Sequence, residues 1–154
     1  MKRKHKKIMR EIGGIIVSYI ISLILIFILA KGNIKPWINP YTFLIPIGSY
    51  IFFRFLYEES ESVLGKKAVK DKKYLFVLVA LFFVGYYLNL SFYYLNLHGA
   101  NYRVLIDINP FCQKKTKIVD NIPVVTVCYW NEITNKEFLL FLPSLIVAWI
   151  VYRK

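Results

Sequence analysis

Two cysteines, Cys112 and Cys128, are the only ones in the 154-residue chain. Residues of this type allow either a structural disulfide or a thiol–disulfide pair that exchanges with a partner. Exchange-active pairs usually take the form Cys-x-x-Cys at a helix N-terminus, which lowers the pKa of one thiol, whereas fifteen residues separate these two. We therefore expect a structural bond, worth about 3 kcal/mol in the chain-entropy model, and keep the redox pair as the alternative.

A second candidate is the stretch YYLNLSFYYLNLH, residues 86–98, where polar side-chain tips interrupt an apolar run. An amide placed deep in lipid needs a hydrogen-bond partner, so Asn89 is expected to be the most sensitive polar position. The pattern favours a polar seam between helices, with a ligand-facing pocket or a plain aromatic belt as alternatives. The candidate residues for the seam or pocket are Tyr86, Asn89, Tyr93, Asn96 and His98.

The elements that must position these residues are apolar helices. Hydrophobic residues make up 57% of the chain, which is high for a soluble domain, and a helix needs about 20 apolar residues to cross a bilayer. We predict an all-α bundle of four transmembrane helices that forms a single membrane domain over residues 1–154. The predicted helices cover about 12–30, 41–57, 74–95 and 138–152, and the loop between the third and fourth covers 96–137.

This loop is predicted to be extracellular, small, β-rich and stapled by the disulfide. Three pieces, YRVLIDI, TKIV and VVTVCYW, are rich in β-branched and aromatic residues. Turn formers separate them, namely Asn109-Pro110 and Asp120-Asn121. We expect a small antiparallel sheet or hairpin that the disulfide between the two cysteines stabilises, because an isolated hairpin is marginal in water.

The net charge of +12 comes mostly from basic residues between the apolar runs. This arrangement favours an anionic inner leaflet as the partner and excludes nucleic acid, and the excess on one side predicts that both termini are cytoplasmic. Arg54 is expected to snorkel towards the lipid surface and to pair with Glu58, four residues later. The alternative is a contact with lipid phosphate or with a partner helix. The residues expected to contact the lipid surface are Lys2, Arg3, Lys4, Lys6, Lys7, Arg10 and Arg54.

Catalytic and ligand-binding motifs are not evident in the chain. It shows no His/Cys/Asp cluster with metal-ligand spacing and no Gly-rich phosphate loop, so we expect no metal and no cofactor. The favoured function is that of a small, non-enzymatic, multi-pass bacterial cell-membrane protein acting by contact. It would be a regulatory or accessory subunit of another membrane protein, or an immunity-type protein that binds an extracellular peptide. The alternatives are a redox or other outer-face membrane enzyme using Cys112 and Cys128, and a small transporter or channel subunit.

Overall fold

The computed structural model of the protein describes residues 2–29, 40–98, 101–133 and 136–154. The chain divides into two compact units, a helical unit (Met1–Val77 and Lys136–Lys154) and a sheet unit (Leu78–Asn135). The elements are α1 (Lys2–Leu29), α2 (Pro40–Leu64), α3 (Lys66–Val69), α4 (Lys72–His98), β1 (Arg103–Asp107), β2 (Lys115–Val119), β3 (Ile122–Cys128), α5 (Tyr129–Ile133) and α6 (Lys136–Arg153).

The four predicted spans correspond to the long helices α1, α2, α4 and α6. Within the described residues two of them, over His5–Ile28 and Lys72–Leu97, are long and apolar enough to cross a membrane. The described apolar part of α6, Phe141–Arg153, is shorter. The second half of α2 carries Arg54 and a cluster of glutamates, which shortens its apolar part.

In the helical unit, α1, α2 and α6 pack against one another. Small hydroxyl side chains lie between them: Ser18 donates to the Ser144 hydroxyl oxygen at 2.8 Å, and Ser144 donates to the Pro46 carbonyl at 3.2 Å. Both serines are fully buried. Because a serine occupies little volume, it lets helix backbones approach closely while its hydroxyl satisfies a neighbouring acceptor. The buried polar seam of this unit therefore joins α1, α2 and α6.

The sheet unit contains a three-stranded sheet of order β1-β3-β2. β2 and β3 form the predicted antiparallel hairpin, and its turn residues Asp120 and Asn121 have φ values of 52° and 63°, as a type I′ turn requires. The prediction of an antiparallel sheet is wrong for β1, which pairs with β3 in parallel. The chain reverses between β1 and β2 and again between β2 and β3. β1 and β3 therefore run in the same direction, and β3 lies between the other two.

The third strand begins and ends two residues earlier than its sequence suggests. The piece VVTVCYW was expected to be extended throughout, but β3 ends at Cys128 and the next residues form α5. The last pair of the parallel ladder joins Asp107 to Cys128. Beyond that pair β1 has ended, so the backbone of Tyr129 has no strand to pair with and forms helical hydrogen bonds instead.

Candidate functional site

The sheet has one packed face and one open face. Val125 and Val127 of β3 are 7% and 0% exposed and lie on the packed face. The alternate residues Val124 and Thr126 lie on the opposite face, beside Lys117 and Leu105 respectively. This division follows from the period-2 alternation of a strand, and it leaves the open face available for a binding partner.

A hollow of about 560 Å³ lies over the open face. Its lining combines the aliphatic side chains of Leu105 and Val124 with the charged side chains of Lys115 and Lys117. Phe111 borders the hollow and is 89% exposed. Exposing a large aromatic ring to water is unfavourable, and a bound partner that covered the ring would remove this cost.

The predicted disulfide is confirmed, since Cys112 and Cys128 are bonded with an S–S distance of 2.05 Å. It ties the loop after β1 to the end of β3. Local hydrogen bonds shape the same loop: Cys112 N–H donates to the Asn109 carbonyl at 3.0 Å, and Asn109 N–H donates to Asp107 Oδ1 at 2.9 Å. Cys112 lines the hollow and Cys128 is only 3% exposed, so the bond ties the wall of the hollow to the buried end of β3.

In the tyrosine-rich stretch, the packed face of α4 carries Tyr86, Leu90 and Tyr94, at helical spacing. Leu90 and Tyr94 are 7% and 8% exposed. The Tyr86 hydroxyl donates to the Glu132 carbonyl at 2.8 Å, and the Tyr94 hydroxyl donates to Glu132 Oε1 at 2.9 Å. The ammonium group of Lys114 lies 5.9 Å from the centre of the Tyr94 ring, so this ring contacts a cation as well as an acid.

Of the predicted seam residues whose side chains the structure describes, Tyr86 alone lies on this face. Asn89, Tyr93 and Asn96 are exposed. His98 ends α4, and its side chain lies outside the described residues. Asn89 does not lie on the packed face of α4, so its expected hydrogen-bond partner stays a prediction. Tyr86 and Tyr94 both donate to Glu132, so the packing of α5 sets which face of α4 is covered.

Glu132 is a site residue that sequence reasoning missed. It lies in α5, the helix that replaces the expected end of β3. Next to it, the Tyr129 hydroxyl donates to the Phe83 carbonyl at 2.9 Å, and burial raises the pKa of Tyr129, so this phenol stays a neutral donor. The Trp130 indole N–H donates to the Ile108 carbonyl. The only sequence signal for this site is the composition of residues 129–132, YWNE, which places two amphipathic aromatic residues next to an acidic one.

The helical unit holds a second polar cluster, around Arg54. Arg54 Nε and Nη2 donate to Glu11 Oε2 and Oε1 at 2.8 Å and 2.9 Å, and the Tyr50 hydroxyl donates to Glu11 Oε2 at 2.8 Å. Glu58, the partner expected from sequence, is 3.4 Å from Nη2. Arg54 is 8% exposed, because a bidentate pair with α1 holds it inside the unit. Its expected contact with the lipid surface stays a prediction.

Gly14 explains how Tyr50 reaches Glu11. A Cβ built on Gly14 would overlap the Tyr50 hydroxyl, whereas one built on Gly13 would meet nothing within 4 Å. Gly14 lies three residues after Glu11 on the same face of α1, where side chains neighbour each other. The absence of a side chain at position 14 therefore makes room for the phenol.

The remaining basic residues expected at the lipid surface lie in the first three turns of α1. Lys6, Lys7 and Arg10 are exposed, and the side chains of Lys2, Arg3 and Lys4 lie outside the described residues.

Among the residues that the structure describes, no three His, Cys, Asp or Glu side chains come together as a metal site would require. No family model, curated protein or solved structure matches this chain.

Proposed function

We propose that this chain is a small, non-enzymatic bacterial membrane protein that acts by contact, holding a polypeptide partner on the open face of its sheet. The observation that carries the proposal is the hollow of about 560 Å³ over that face. It lies on a sheet whose loop is fixed covalently by the disulfide. A pre-formed face of this kind binds without first having to be ordered, which lowers the entropic cost of association.

Two features of the hollow indicate the chemistry of the partner. Lys115 and Lys117 contribute positive charge against the single acid Asp107, and Leu105 and Val124 contribute apolar surface. We therefore propose a polypeptide with both acidic and apolar side chains. The outer edges of β1 and β2, the two edge strands, could pair with an extended segment of it, as in strand addition. An extracellular peptide, with this chain as an immunity-type protein, and a subunit of a membrane complex both fit this chemistry.

For the membrane, we propose that α1, α2, α4 and α6 all span it, with both termini in the cytoplasm and the sheet outside. Large apolar side chains remain exposed on these helices, among them Phe52 at 58% and Leu81 at 60%. Only 22% of the apolar window of α1 and 6% of that of α4 is buried within the protein. A core helix of a soluble protein would be mostly covered, whereas lipid accepts such surface without cost.

Reporter fusions test this topology. A phosphatase domain fused after Lys117 should be active, and one fused after Lys73 or Lys154 should be inactive, since phosphatase reporters fold only outside the cytoplasm. A green fluorescent reporter at the same three positions should give the complementary pattern. Activity at Lys73 with inactivity at Lys117 would reject the proposed orientation.

A photo-crosslinking amino acid tests the open face in intact cells. At Leu105, on the open face, it should give a discrete crosslinked polypeptide, and Lys117→Glu should remove that product by repelling an acidic partner. The matched control is Ile118, which neighbours Lys117 on β2, is 77% exposed and points to the other face. Equal crosslinking from both positions, or indifference to Lys117→Glu, would argue against a specific partner on this face.

A further inference from the structure

A second concave site lies in the helical unit, among the polar ends of α1, α2 and α6. It is a cleft of about 250 Å³, large compared with the roughly 30 Å³ that one water molecule occupies in the liquid. Two acids, Glu58 and Glu61, line it. Six basic side chains line it as well: Lys7, Arg10, Arg54, Lys66, Lys70 and Lys154. The excess of cations favours an anionic occupant.

Two buried donors in this cleft have unmet hydrogen-bonding capacity. Within the part of the chain that the structure describes, Arg54 Nη1 and the Tyr152 hydroxyl are buried and have no hydrogen-bond partner. Both side chains line the cleft, and the guanidinium carbon of Arg54 lies 5.0 Å from the centre of the Tyr152 ring. Leaving a buried donor unsatisfied is costly, and the same kind of group, an acceptor, would satisfy both.

The remaining contacts of Arg54 are already made. Glu11 takes Nε and Nη2, and Glu58 lies 3.4 Å from Nη2. These bonds fix the plane of the guanidinium and leave Nη1 as the free corner of its rigid fork. The position of the arginine is therefore set independently of any ligand, which is how a pre-organised anion site is built.

We propose that this cleft binds a phosphate group, with Arg54 Nη1 and the Tyr152 hydroxyl donating to its oxygens and Lys7 and Lys70 neutralising its charge. Phosphate suits these donors because it offers several acceptor oxygens around one centre, and arginine and lysine are its usual partners in proteins. The phosphate belongs either to the head group of an anionic phospholipid or to a soluble phosphate. This site is separate from the proposed binding face of the sheet and does not depend on it.

The test uses the full-length protein in neutral detergent micelles and follows its thermal unfolding. Three additions are compared at constant ionic strength: inorganic phosphate, phosphatidylglycerol, and diacylglycerol, which has the lipid chains without the phosphate. At a concentration ten times the dissociation constant, a phosphate ligand should raise the melting temperature by about 3 °C or more. A rise with inorganic phosphate identifies a soluble phosphate, and a rise with phosphatidylglycerol alone identifies the lipid head group.

The variant Tyr152→Phe assigns the effect to this cleft. It keeps the ring beside Arg54 and removes one buried donor, so the melting temperature without ligand should stay the same or rise. The ligand-induced rise should fall by at least half. Tyr93→Phe is the matched control, because Tyr93 is 57% exposed in the other unit, and it should retain the full rise.

Lys70→Gln provides a second variant should Tyr152→Phe fold poorly, and it too should reduce the ligand-induced rise. The proposal is overturned if neither phosphate nor phosphatidylglycerol raises the melting temperature, or if diacylglycerol raises it equally. It is also overturned if every folded cleft variant responds as strongly as the wild type does.

Discussion

The helical unit and the sheet unit are held together by different kinds of interaction. In the helical unit, helices far apart in sequence meet through an ion pair, Arg54 with Glu11, and through the hydroxyls of Ser18 and Ser144. In the sheet unit, a covalent bond and a two-residue turn fix a short segment. One unit depends on long-range complementarity, and the other on local geometry. Each therefore has a different weakest point.

The disulfide should give the largest effect. Replacing Cys112 and Cys128 together by serine removes a bond that closes a segment with a sequence separation of 16, which should cost about 3 kcal/mol. The loss should be confined to the sheet unit, because both cysteines lie in it. Hydrogen exchange of the backbone amides of β1 and β3 is the measurement, with α1 as the internal reference.

A loss of protection spread equally over α1 and the strands would contradict the separation of the two units. A second outcome also carries weight. If the double variant folds normally but abolishes thiol exchange with an added redox protein, the bond is a redox pair and the alternative assignment of these cysteines is correct.

The second-largest effect is expected from breaking the ion pair between Glu11 and Arg54. Glu11→Gln removes the charge that neutralises Arg54 while keeping the size of the side chain, and it should cost about 2 kcal/mol. Breaking a buried pair typically costs more, but Glu58 remains near Nη2 at 3.4 Å and can compensate in part. Thermal unfolding in detergent measures the change. The control Glu59→Gln, at an exposed position, should have almost no effect.

The variant Glu58→Gln decides which acid is the main partner of Arg54. Glu58 is 53% exposed and lies farther from the guanidinium than Glu11 does. Its loss should therefore cost less than 1 kcal/mol. A larger cost for Glu58→Gln than for Glu11→Gln would make Glu58 the main partner, as helical spacing alone suggests.

The two partners of Arg54, Glu11 and Glu58, illustrate which features can be predicted from a sequence. The turn at Asp120-Asn121, the three strands and the disulfide were predicted because their signals lie within one short segment. Glu11 is 43 residues from Arg54, and nothing local connects them, so the nearer Glu58 was chosen instead. The parallel pairing of β1 with β3 was missed for a similar reason. Strand propensity gives the strands, but the order of strands depends on the whole path of the chain.

The packing of Tyr50 against α1 can be tested with a pair of adjacent glycines. Gly14→Ala places a methyl group against the Tyr50 hydroxyl, and this overlap should cost about 1 to 2 kcal/mol after the gain in helix propensity. At Gly13 a Cβ meets nothing within 4 Å, so Gly13→Ala should stabilise the helix by about 0.5 to 1 kcal/mol. Opposite signs in thermal unfolding would confirm the contact. The same sign for both variants would reject it.

The smallest effect concerns the tyrosine-rich stretch, where the structure reverses the order of sensitivity expected from depth. Tyr94 is 8% exposed and its hydroxyl donates to Glu132 Oε1 at 2.9 Å, whereas Asn89 is exposed. Tyr94→Phe leaves the carboxylate of a half-buried glutamate with one donor fewer, which should cost about 1 kcal/mol. Asn89→Leu leaves no buried partner unpaired, so it should not lower the free energy of unfolding by more than about 0.5 kcal/mol.

The pair Tyr94→Phe and Glu132→Gln extends this test to a double-mutant cycle. If the hydroxyl and the carboxylate interact directly, the double variant should be less destabilised than the sum of the two single variants. Additive effects would mean that Tyr94 contributes through the packing of its ring alone. A larger cost for Asn89→Leu than for Tyr94→Phe would return Asn89 to a buried polar seam, with a partner that this single chain does not supply, and would point to a second protein packed on the exposed face of α4.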